Sequence, residues 1–121
     1  MPLVPPQPAL PDVEALLRRR DGPLPAEEAL STLTGQPAGL LRLRSISREV
    51  DRLALEVARS IAGYREDLVR SRASRWKGDL AIGELSHRLA HYRKLGVRLD
   101  AEAEAEAEAE AEAERVFADR R

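Results

Sequence analysis

An all-α fold, an antiparallel helical hairpin behind two short helices, is predicted for this chain of 121 residues. Three features predict it. Ile46, Val50, Leu53, Val57, Ile61, Tyr64 and Leu68 recur at steps of three and four with no Pro among them. Gly78 and Asp79 then interrupt the pattern before a second stripe of Ile82, Leu85, Leu89 and Tyr92. Strand formers are scarce, and the aromatic side chains are only Trp76, Tyr64, Tyr92 and Phe117.

The elements follow in order. Pro2, Pro5, Pro8 and Pro11 fall at every third position, the repeat of a polyproline II helix, so residues 1–11 are expected to form a disordered, Pro-rich leader. The same spacing also suits an aromatic groove on a partner. Asp12 can cap a short helix carrying Val13, Leu16 and Leu17, which Asp21-Gly22-Pro23 ends. A second short helix starts with Pro25 in its first turn, sets Glu27 and Glu28 at the positive end of its dipole and stops at Gly35.

The long helix is expected over about 47–77. At 100° per residue its seven apolar side chains lie within about 40° of Val57. Their recurrence at eleven-residue steps predicts nearly straight packing. Gly78 reads as a stop and Asp79 as the next cap, giving a shorter helix over about 80–95 that ends at Gly96. In the expected register Leu85 meets Leu68, Leu89 meets Tyr64 and Tyr92 meets Ile61. Residues 12–98 would then form a small helical domain. Residues 101–114 are seven Ala-Glu dipeptides, and 99–121 is expected as an acidic low-complexity tail, helical or disordered, with Asp100 as its cap. An expanded hexanucleotide repeat in GC-rich DNA produces such a segment without selection. Arg outnumbers Lys 18 to 2, and Cys and Asn are absent, which fits GC-rich codon usage or a thermophile.

A hairpin this short covers only half of the long stripe. Leaving Ile46, Val50, Leu53 and Val57 in water would forgo roughly 1.5–3 kcal/mol for each. These four residues are therefore the candidate self-association stripe. The expected partner is a second copy of the chain, the two short helices being the other possible cover.

Charge is divided along the sequence. Residues 1–41 carry net −2, residues 42–98 net +7 and residues 99–121 net −6. The basic middle suggests an acidic protein or a nucleic acid as partner, contacted through Arg42, Arg44, Arg70, Arg72, Arg75 and Lys77, with Trp76 free to stack on a base. The acidic tail could mask that surface, provided it lies within about 8 Å of it. Glu28 to Arg44 resembles a helix-turn-helix motif, with Leu30, a small Ser31, Gly35 at the turn, and Leu40 or Leu41 followed by Arg42, Leu43 and Arg44. Gln36 stands where that motif has an apolar residue, and Pro37 and Gly39 interrupt its second helix.

Several function classes are not supported. No Cys is present for a disulfide, a thiolate nucleophile or a Cys-based zinc site. Glu84, His87 and His91 have helical spacing but fall on the side of their helix turned from its apolar stripe, so no metal or other cofactor is expected. No phosphate-cradling loop or nucleophile–base spacing is found, and the expectation is a non-enzymatic protein. No apolar run is long enough to span a bilayer and no secretory signal pattern is seen, so the expected location is cytoplasmic.

Overall fold

The computed structural model describes residues 10–70 and 75–120, with the backbone alone at residues 70 and 75–77. Every element among the described residues is helical: α1 Val13–Asp21, α2 Pro25–Thr34, α3 Ala38–Arg70 and α4 Arg75–Asp119. The leader residues 1–9 lie outside the description. α3 packs along α4, α1 touches both, and α2 leans on α3.

Local signals set α1 and α2 where the sequence puts them. The Asp12 carboxylate accepts from the Ala15 amide at 2.6 Å, closing the first turn of α1. Leu16 is fully buried, with Val13 and Leu17 packed beside it. Pro25 opens α2, and Gly35 ends it in the left-handed region at φ 73°, a conformation that strains any residue with a Cβ.

α3 begins at Ala38, well before the expected start near residue 47. Pro37 stands just outside the first turn, where no amide hydrogen is needed, and its carbonyl accepts from the Leu41 amide. The apolar stripe thereby extends back to Leu40 and Leu43, both buried. Leu68, the last of the seven, is only half-buried.

The facing ends of the two long helices differ most from expectation. α3 ends at Arg70 and α4 is already helical at Arg75, so Gly78 and Asp79 lie inside α4 rather than at a break. A Cβ on Gly78 would sit 2.7 Å from a methyl of Leu68. This glycine is a contact point at which two helices approach closely. Gly96 also lies within α4, buried against Val50 and Asp51 of α3. Both glycines cost about 1 kcal/mol in helix propensity, and packing outweighs it. Leu95, Leu99 and Ala103, one turn apart and all buried, carry α4 past the expected stop at residue 95.

The register follows from the contacts between the two helices. Leu68 faces Gly78 instead of Leu85, Val50 faces Gly96, Ser47 donates its hydroxyl proton to the Asp100 carboxylate, and Gly39 faces Glu106. The two helices run antiparallel, displaced by seven residues from the expected pairing. Seven residues are nearly two turns, so the same faces meet within about 20°. Hydrophobic patterning alone does not separate the two registers. Asp100, expected as a helix cap, is an interior residue of α4 bonded to the buried Ser47.

This register also corrects the origin of the stripe's cover. Ile46 and Val50 are each 1% exposed, Leu53 2% and Val57 0%, within a single chain. α4 is 45 residues long, about 68 Å, and runs alongside α3 as far as Gly39, while α1 brings Leu16 into the same core. The four residues expected to receive a second copy are occupied by the chain itself. From Glu108 onward α4 continues beyond the packed body, with every described residue exposed. No helix among the described residues is long and apolar enough to cross a membrane.

Candidate interaction surface

Of the residues expected to contact phosphate, Arg42 and Arg44 are the two with described side chains, and they do not share a surface. Arg42 is turned inward, its side chain 11% exposed. Its guanidinium donates to the carbonyls of Arg19 and Pro23, and its Nη2 donates at 3.0 Å to the Glu27 carboxylate. Its Nε lies 3.0 Å from the other carboxylate oxygen, off the line of its N–H. Arg42 therefore ties α1, α2 and α3 together and leaves no donor face for an outside phosphate. The hydrogen bond from Arg42 holds the Glu27 carboxyl below the usual carboxylate range. Two helices joined by a three-residue turn do stand at Pro25–Arg44, yet Arg42 and the buried Leu40 and Leu43 point into the body.

Arg44 is exposed and shares a shallow groove with Asp100, Glu104 and Glu108 of α4. The side chains of Arg70, Arg75, Trp76 and Lys77 lie outside the described residues, as does Arg72 entirely.

A second cationic surface is present that the spacing of 70–77 did not point to. Between Glu84 and Asp100 every charged residue is basic, and Arg88, Arg93, Lys94 and Arg98 are all exposed. The signal was in the sequence, as fifteen residues with no carboxylate, but an apolar stripe on the same helix obscured it. On α3, Arg44, Arg48, Arg52 and Arg59 fall within about 40° of the side opposite Val57, all exposed. Arg52 is braced there by Glu49 and Glu56.

The acidic repeat approaches only some of these cations. Glu102 pairs with Arg20 at 3.1 Å, and Glu104 and Glu108 lie beside Arg44. Arg20 is held above its ordinary value mainly by its hydrogen bond with Asp21, with Glu102 adding to the effect. Because the repeat continues α4 without a break, it cannot fold back over Arg88, Arg93, Lys94 and Arg98 of its own helix. A tail acting as a mask would reach Arg20 and Arg44 in its own chain and none of that stretch.

Glu84, His87 and His91 are exposed, as their angle on the helix implies. The N-terminus of α1 comes close, so that flank forms a groove with Asp12 and Glu14. His87 and His91 meet edge to face, with their Nε2 atoms 3.1 Å apart. No three His, Cys, Asp or Glu side chains among the described residues are grouped to hold a metal ion. Beneath them Tyr92 is fully buried, its hydroxyl donating to the Pro11 carbonyl. Burial pushes its phenol above the ordinary value. The chain matches no protein-family model, no curated protein and no solved structure.

Proposed function

We propose that this is a non-enzymatic, cytoplasmic interaction protein, a helical scaffold that presents the cationic stretch of α4 to an anionic partner. The observation that carries the reading is the exposed run of Arg88, Arg93, Lys94 and Arg98 with no carboxylate between Glu84 and Asp100. Exposed cations of one sign raise encounter rates with anionic surfaces and release counterions on binding. An acidic polypeptide is the favoured class because the stretch offers charge without a base-reading element, its exposed rings being His87 and His91, which meet each other edge to face. The rival reading is a nucleic-acid accessory protein that contacts phosphates non-specifically, with the acidic repeat as a mask beside Arg44.

The test is a salt titration of binding to labelled polyglutamate and to a labelled DNA duplex, using the whole chain and a variant with Arg88, Arg93, Lys94 and Arg98 changed to Gln. The proposal expects polyglutamate binding that weakens steadily with salt and is lost in the variant. DNA binding with a steep salt slope, strengthened by changing Glu102, Glu104 and Glu108 to Gln, would favour the rival reading. Equal binding by the variant would refute the assignment of the surface.

A further inference from the structure

The outward face of α4 changes sign along its length. At 100° per residue, Lys94, Val97 and Arg98 before Ala101, and Glu104, Ala105 and Glu108 after it, fall within about 60° of the side opposite Tyr92. All seven are exposed, and Val97 is 70% so. No ion pair engages Lys94, Arg98, Glu104 or Glu108 among the described residues. Arg44 shares a groove with the two glutamates without forming an ion pair with either.

We propose that this face binds a second copy of the chain, with the two α4 helices antiparallel across a two-fold axis at Ala101. The inference rests on reading the cationic stretch as a protein-contact surface, and it names the partner as the acidic half of the same helix in another copy. A two-fold interface must be complementary to itself. A rod that is positive on one side of its centre and negative on the other meets that condition when antiparallel; a parallel pairing would set like charges together. Residues equidistant from Ala101 then lie level with each other, so the basic half of each helix runs along the acidic half of the other. Lys94 meets the partner's Glu108 near the centre line, while Arg98 is level with the partner's Glu104 and Val97 with the partner's Ala105 across the width of the contact, each juxtaposition occurring twice. Ala101 and Ala105 are small enough for the helix axes to approach. The pairing also relieves repulsion within the repeat, where Glu104 and Glu108 are like charges at i and i+4.

The contact is one helix wide, smaller than the standard interface of about 1,600 Å². The dimer is accordingly weak and sensitive to salt.

Sedimentation velocity on the full chain tests the proposal through charge swaps. Lys94→Glu with Arg98→Glu makes both halves acidic; Glu104→Lys with Glu108→Lys makes both basic. The wild-type chain should dimerise at low salt and dissociate as salt rises. Each double variant should associate roughly tenfold more weakly or worse, and an equimolar mixture of the two should restore a dimer. The substituted side chains are all exposed, so unchanged helical circular dichroism checks that folding is intact. The chain contains no Cys, so Ala101→Cys should cross-link to itself under oxidation while Val69→Cys, also exposed, should not. A wild-type chain that stays monomeric at low salt, or double variants that associate like wild type, would overturn the dimer. If that monomer still bound polyglutamate through α4, the cationic-surface reading would stand without it.

Discussion

The two ends of α4 are one continuous helix held in different ways. From Gly78 to Ala107 it turns Leu85, Tyr92, Leu95, Leu99 and Ala103 into the core. From Glu108 to Asp119 nothing covers it, and Phe117 is 70% exposed. Packing holds the first part, and it carries two buried contact glycines there. Intrinsic propensity and the Arg115–Glu112 ion pair hold the second, with Ala at alternate positions offset by repulsion among the Glu side chains.

That contrast can be broken by substitution. The largest effect is expected from Leu99→Ala, which should lower unfolding free energy by about 2–5 kcal/mol because Leu99 is 1% exposed at the start of the acidic segment. Denaturant unfolding checks it, and a change under about 0.5 kcal/mol would mean that the repeat does not enter the core. Tyr92→Phe should cost about 1–2 kcal/mol by leaving the Pro11 carbonyl without its donor. It also carries a pH test. The phenol is raised by burial above its ordinary 10.0, so the stability it contributes is fully present below about pH 10 and lost as pH rises beyond it. The Phe variant should lose this alkaline fall.

Smaller effects sharpen the distinction between the glycines. Gly83→Ala should stabilise the protein by about 1 kcal/mol, because a Cβ there meets nothing within 4 Å. Gly78→Ala should fail to stabilise, since its Cβ would press on Leu68. Smallest of all, Ala109→Gly costs about 1 kcal/mol of local helix and should leave the main unfolding midpoint unmoved. Amide exchange from residue 108 onward should quicken in that variant, and a shifted midpoint would show that the overhang is packed after all.

These contrasts indicate what one sequence can disclose. Asp12 and Gly35 act through bonds to neighbours a few residues away and Pro25 through its own fixed φ, so α1 and α2 were legible. The stripe from Ile46 to Tyr64 was legible because helical periodicity sorts side chains by face whatever they meet. The turn was not, because a glycine that ends a helix and one that admits a neighbouring helix look alike until the neighbour is placed. Arg42 was misplaced for a related reason. Arg42 is as basic as Arg98, and only the position of Glu27 and the carbonyls of Arg19 and Pro23 shows that it serves the interior.

The sequence by itself determined the helical class, the caps of α1 and α2, the apolar face of α3 and the division of charge along the chain, since each arises from local bonding or from a fixed rotation per residue. Tertiary structure alone decided where the chain turns, which of two registers nearly two turns apart is adopted, and what covers Ile46, Val50, Leu53 and Val57. The registers present nearly the same faces to each other. The choice between them shows instead in contacts between distant residues, the Leu68 methyls over Gly78 and the Ser47 hydroxyl on Asp100.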